Sequence, residues 1–319
     1  MNFSEGPDRR GAVSKSSRLG LPLGLLAQLS LVALPLAAVH GDEGKEFEGV
    51  RLTQDGALKR DPVFVHGGKE VMYGVDENRV QVRLQQLDLS TLESRPVHPD
   101  ATRTQFGPAL SPDGRYLAFT ECTGNLKLKF VIRDLQQKQD AEIKCSGRGG
   151  TRGPAFSPDS KRVLYCFAEV GPQQIFSVDV NGAEKRQLTE GPGIHNWPSF
   201  TPDGQTIVFG SSRHGTYEIF SMRADGSDVR RLTTNTFMDI RPRLSPDGTR
   251  IAFVRQVDGN RDVYVMDIDG TNVHRVTRNE ERDDYPDWHP DGQRLVIVSE
   301  RDGRHDLFLV PALPTGVSS

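Results

Sequence analysis

Short apolar runs separated by polar turns recur through most of the chain. One set comprises Leu117 and Phe119, Val163 and Tyr165, Ile207 and Phe209, Ile251 and Phe253, and Leu295 and Ile297. Each is followed by a polar break such as "SSRHGTY" at 211–217 or "RQVDGNR" at 255–261. A second run comes next: "EIFSM" at 218–222, "DVYVM" at 262–266, "DLFLV" at 306–310. After another turn, a last run such as "VRRLT" at 229–233 or "VHRVT" at 273–277 closes the unit. The runs are short and rich in β-branched and aromatic residues, with Gly, Pro, Asp and Asn between them. That pattern predicts strands joined by tight turns. No window sustains a 3.6-residue period.

One phrase sits before the first of these runs in every unit: "LSPDG" at 110–114, "FSPDS" at 156–160, "FTPDG" at 200–204, "LSPDG" at 244–248 and "WHPDG" at 288–292. Counted from Ser111, Ser157, Thr201, Ser245 and His289, the steps are 46, 44, 44 and 44 residues. A worn sixth copy, "VFVHGGKEVMYG", lies one step earlier, with Gly67–Gly68 in place of Asp-Gly. Pro-Asp-Gly suits a turn, because proline presets φ, aspartate bonds local backbone and glycine accepts positive φ. Four strands per unit of about 44 residues is the period of a propeller blade. The prediction is an all-β, six-bladed β-propeller of four-stranded antiparallel blades. The last unit lacks a closing run, and "EGVRLTQDG" at 48–56 matches "SDVRRLTTN" at 227–235. An N-terminal strand is therefore expected to complete the last blade and close the ring.

The phrase, the following apolar strand, the "RDG"-like hairpin, the "VYVMDIDG" run and the "RRLT" ending resemble the TolB-type propeller repeat. The resemblance covers residues from about 45 to 310. It implies the propeller fold and not a single activity, since one fold hosts many. TolB carries a further N-terminal domain, for which no room is expected here, so its role in envelope transport is not carried over.

Residues 1–41 read as a signal peptide. Arg9, Arg10, Lys15 and Arg18 precede the apolar stretch "LGLPLGLLAQLSLVALPLAAV", small residues follow, and the polar "HGDEGKEFEG" comes next. Cleavage is expected after Gly41, leaving 42–319 as the propeller in the periplasm or outside the cell. An uncleaved anchor is the alternative. The whole chain carries a net charge of −3. Loss of the basic leader makes it more acidic, so neither nucleic acid nor membrane insertion is expected. Cys122, Cys145 and Cys166 lack zinc-type spacing and fall in strands. Buried free thiols are expected rather than a disulfide.

No Gly-x-Ser-x-Gly, His-Glu-x-x-His or phosphate-binding glycine loop occurs. What varies against the repeated framework is the segment before each inner-strand proline: "KRDP" at 59–62, "RTQFGP" at 103–108, "GGTRGP" at 149–154, "GIHNWP" at 193–198, "FMDIRP" at 237–242 and "ERDDYP" at 281–286. Read as loops at one mouth of the central channel, they bring together Asp61, Arg152, His195, Asn196, Trp197, Asp239, Arg241, Asp283 and Asp284. Mixed charge with aromatics suits a protein, peptide or saccharide ligand. The bland alternative is a ring that solvates a water-filled channel. A non-catalytic, monomeric binding module is expected, with no cofactor. The other class is an enzyme with a metal or acid–base centre at the mouth, as in oligogalacturonate lyase, which is similar to this propeller type. One histidine among aspartates is a poor transition-metal site, although carboxylates suit Ca²⁺.

Overall fold

The computed structural model describes residues 49–77, 81–122, 128–143 and 152–313. The expected leader and Cys145 lie outside them. Among the described residues are six four-stranded sheets and one short 3-10 turn, His66–Gly68. Five sheets take their strands in chain order. The sixth joins Asp283–Trp288, Arg294–Arg301 and Arg304–Pro311 to the N-terminal strand Val50–Arg51. Blades 1 to 6 are numbered by their innermost strands: Lys59–Val65, Gln105–Leu110, Arg152–Phe156, His195–Phe200, Met238–Leu244 and Asp283–Trp288.

Second strands read as continuous apolar runs because both faces of each sheet are covered. In blade 3, Val163, Tyr165 and Phe167 pack with Phe130 and Ile132 of blade 2. The intervening Leu164 and Cys166 pack with Ile207 and Phe209 of blade 4. Six apolar clusters result, one at each junction. The junction of last and first blades is no exception: Val296, Val298 and Leu307 meet Val71, Tyr73 and Val75.

The repeated phrase is a turn with its own bonds. In blade 5 the Ser245 hydroxyl donates to Asp247 at 2.5 Å and accepts from the Arg250 amide at 2.9 Å. Asp247 in turn accepts from the Thr249 amide at 3.0 Å. Equivalent bonds hold Ser111–Asp113, Ser157–Asp159 and Thr201–Asp203. The turns also stack from blade to blade. A Cβ on Gly248 would lie 2.8 Å from Pro202, and one on Gly68 would lie 2.8 Å from Pro290. The worn first copy has no proline, and a Cβ on Gly114 of blade 2 would meet nothing within 4 Å.

A second repeated device holds the outer edge. In blade 5, Arg275 bonds Asp262 at 2.6 Å, and the Thr277 hydroxyl accepts from the Val263 amide at 3.0 Å. Arg231 and Thr233 do the same with Glu218 and Ile219 in blade 4. In blade 6 the partners come from the other end of the chain. Arg51 bonds Asp306 at 2.5 Å, Thr53 donates to Asp306 at 2.8 Å and accepts from the Leu307 amide at 3.0 Å. Val50 pairs with Leu309 and Arg51 with Phe308. Beneath them the wholly buried Lys59 of blade 1 donates to the His305 carbonyl at 3.2 Å and to Asp306 at 3.3 Å.

Asp306→Ala leaves Lys59 buried with less compensating charge and should destabilise by about 3–5 kcal/mol. Thr53→Val should lose about 1 kcal/mol with the hydroxyl bonds. Equal melting temperatures for Asp306→Ala and wild type would contradict the closure. Gly248→Val combines a φ of +72° with the Pro202 contact. It should lower stability by about 1–3 kcal/mol, while Asp247→Asn, which keeps a turn-forming side chain, should change it by less. Chemical denaturation of both variants measures the difference.

Candidate functional site

Five of the six segments before the prolines are not loops: they lie largely within the first strand of their blade, as do 152–154 of the remaining one, whose residues 149–151 lie outside the described residues. Each contains a register shift against the second strand. At every shift the residue before proline has positive φ: Asp61 (50°), Gly107 (60°), Gly153 (60°), Trp197 (53°), Arg241 (54°) and Tyr285 (54°). A bulge places two residues opposite one and re-aims their side chains. Proline, with no amide hydrogen to donate, fits at that place.

The bulge separates the sequence-predicted residues into two groups. His195, Asp239 and Asp283, each two residues before a bulged position, are wholly buried. Asp239 receives two bonds from Arg255, at 2.7 and 2.9 Å, and one from Asn235 at 2.7 Å. Asp283 accepts from Ser299 at 2.6 Å and Arg301 at 3.0 Å, while burial raises its pKa. His195 is pushed down to about 4 by burial and by Arg213, which leaves it neutral. A ligand in the channel reaches none of these three without opening a blade.

The second group meets at the axis. The Arg241 guanidinium lies 4.0 Å from the Tyr285 ring centre and 5.4 Å from that of Trp197, so blades 4, 5 and 6 touch through these three side chains. Asp284 joins them: its Oδ1 lies 3.1 Å from Arg241, and its Oδ2 accepts from Arg261 at 2.7 Å. Trp197 packs against Tyr217, which accepts from Asn196 Nδ2 at 3.3 Å. Arg152 is exposed. Burial raises the pKa of Asp61, opposed by the charges of Arg241, Arg243 and Arg60. Burial also works against the charge of Arg241, but Asp284, Tyr285 and Asp61 outweigh it.

Arg60, Arg243 and Asp287 also belong here, although the segments before the prolines do not contain the last two. Arg243 acts on Asp61 of blade 1 and Cys166 of blade 3 and lies 3.8 Å from Asp287 of blade 6. Asp287 Oδ2 accepts from the Phe64 amide of blade 1 at 2.9 Å. The signal for the last pair was present. One residue past the proline, the blades read Val63, Ala109, Ala155 and Ser199, then Arg243 and Asp287. Cys122 and Cys166 are free thiols, and burial pushes Cys166 up to about 12, so it is unreactive. Among the described residues no three His, Cys, Asp or Glu side chains form a group able to hold a metal ion.

Burial moves the Asp287 pKa from its ordinary 3.8 to about 6 against the opposing charge of Arg243. Between those values the folded protein binds the proton that the unfolded chain has released. Stability supplied by this group is therefore greatest at the acidic end of that window and falls as the pH rises through it. Asp287→Asn should flatten this part of the profile. Melting curves across that range check it, and an unchanged slope would contradict it.

Comparison with known proteins agrees with the geometry. The model of the TolB beta propeller domain matches residues 71–242, more than half of the chain. That of the Tricorn protease N-terminal beta propeller domain matches residues 216–311. The chain is 38% identical over 87 residues to a protein TolB homolog of Chlorobium chlorochromatii, a match covering 27% of this chain and 19% of that protein. A structure provisionally assigned as TolB from Agrobacterium tumefaciens superposes with a TM-score of 0.64 at 24% identity, over 82% of this chain and 92% of that one. Oligogalacturonate lyase from Vibrio parahaemolyticus has the same fold, with a TM-score of 0.57 at 15% identity over 86% of this chain and 96% of the lyase. With its repeat, its closing strand and a family match over more than half its length, the chain belongs to the TolB beta propeller domain family.

Proposed function

We propose that this chain is an exported, monomeric, non-catalytic binding propeller that captures a protein or peptide at the end of the channel where Trp197, Arg241 and Tyr285 meet. The observation that supports this most is the backbone at the bulges. Positive φ suits glycine, and blades 2 and 3 use Gly107 and Gly153 there. Bulky and charged residues in that region are strained by about 1–3 kcal/mol each. Asp61, Trp197, Arg241 and Tyr285 nevertheless occupy it. Their contacts join neighbouring blades, and side chains held on so rigid a rim are also suited to binding. The basic and apolar start of the chain supports export to the periplasm or beyond.

A peptide suits this surface better than a saccharide. Sugars stack on free aromatic faces, and here Arg241 lies over the faces of Tyr285 and Trp197. Trp197 also packs closely on Gly210, where a Cβ would lie 2.9 Å from its ring.

The test pairs two double variants in pull-downs from envelope extract. Arg241→Gly with Tyr285→Gly adopts the residue that blades 2 and 3 already carry at this position, so the fold should persist while capture is lost. Asp225→Ala with Asp269→Ala alters turns on the opposite face, where these aspartates bond Ser227 and Thr271. That pair should leave capture intact. The reverse result would place the site on the other face.

A further inference from the structure

The ring of bulged residues is uneven. Blades 2 and 3 hold Gly107 and Gly153, and the other four hold side chains. Backbone conformation does not demand glycine there, since Asp61, Trp197, Arg241 and Tyr285 adopt nearly the same φ. Crowding does not demand it either. A Cβ on Gly107 would meet only Pro154, at 3.6 Å, and one on Gly153 would meet the Trp197 backbone at 3.5 Å, both ordinary contacts. The two glycines therefore leave a gap that a side chain could have filled. In a six-bladed ring, blade 2 stands across the axis from blade 5, so Gly107 leaves open the space before Arg241.

Arg241 is placed to use that space. Its guanidinium is fixed by Tyr285 at 4.0 Å and Trp197 at 5.4 Å. Its Nε and Nη1 are buried, with Nη1 3.1 Å from Asp284 Oδ1, whereas Nη2 is not among these buried atoms and the side chain stays 15% exposed. Asp284 is itself shared with Arg261, at 2.7 Å. The arginine thus has Nη2 left to face the gap in a site that holds it still. A charge-assisted hydrogen bond from Nη2 matches a carboxylate oxygen, and little further ordering is needed on binding.

We infer that the channel recognises a carboxylate carried by an acidic peptide, received by Nη2 of Arg241 in the gap left by Gly107 and Gly153. This rests on the binding function proposed above and specifies the chemistry of its ligand. Arg243, which acts on charges in blades 1, 3 and 6, adds a second cation near the axis.

The probes are acetyl-Gly-Asp-Gly-amide, its Asn counterpart and digalacturonate. Binding is read by tryptophan fluorescence: of the chain's two tryptophans, Trp197 lies in the site and Trp288 is buried in the core. The Asp peptide should bind about tenfold or more tightly than the Asn peptide, the worth of a charge-assisted pair. Arg241→Gln should erase the difference. Arg241→Lys, which keeps the charge without the planar fork, should retain only part of it. Gly153→Phe should block both peptides by filling the gap. Equal binding of the Asp and Asn peptides, still blocked by Gly153→Phe, would overturn carboxylate recognition and leave the channel as the binding site. Peptide binding indifferent to both Gly153→Phe and Arg241→Gln would overturn the channel reading itself. Binding of digalacturonate alone, or of none of the probes, would overturn the acidic-peptide assignment.

Discussion

The ring depends on the bonds that Asp306 makes across its seam. A propeller blade cannot bury both faces by itself, so each sheet needs a neighbour on either side. In blades 4 and 5 the fourth strand is tied to the third by an arginine on an acidic residue and a threonine under the next amide. Asp306 receives the same arginine and threonine from residues 51 and 53, about 250 positions away in the chain. Lys59 adds an ammonium from the first inner strand to the same carboxylate. Burial works against the ionisation of Asp306, but the hydrogen bonds from Arg51 and Thr53 and the charge of Lys59 outweigh it and hold its pKa low. One carboxylate thus joins the first inner strand, the closing strand and the last blade.

The opposite face is held differently. There the turns lean on one another, with glycine of one blade against proline of the blade before it. The contact is closest at Gly248 on Pro202 and Gly68 on Pro290. Blade 3 has Ser160 where most of the other turns have glycine, and its hydroxyl instead accepts from the Asp113 amide at 3.2 Å. Between blades 1 and 2 the proline contact is missing. That junction relies on its apolar cluster, in which Met72 and Leu84 meet Leu117 and Phe119. Wear in the first repeat therefore has a local structural consequence and leaves the ring intact.

The period and the missing last strand made the architecture legible, because every blade solves one packing problem with the same residues. "VRLT" at 50–53 was recognisable as a displaced fourth strand since its arginine and threonine have the same work as Arg231 and Thr233. The site was legible only as a neighbourhood. Strict alternation would give residues two apart the same environment, yet Asp239 is buried on Arg255 and Arg241 stands at the axis. The bulge between them breaks the alternation, and nothing in a strand pattern announces a bulge beyond the proline itself. Arg243 and Asp287 were obscured for a related reason: they follow the proline, where four other blades carry small or apolar framework residues.

Strain and burial set how such a site can be built. A rim of loops could carry the same side chains at no conformational cost, but each would have to be ordered when a partner arrives. Here the ordering is done in advance by strands, bulges and prolines, and the left-handed conformation at Trp197, Arg241 and Tyr285 is its price. The same backbone accepts glycine in blades 2 and 3, so the framework can leave a position empty or fill it without redesign. In the proposed binding role, binding character resides in these six positions, and the remainder of each blade is free to repeat. That division explains why the residues most alike from blade to blade make the turns and clasps, while those least alike stand together at the axis.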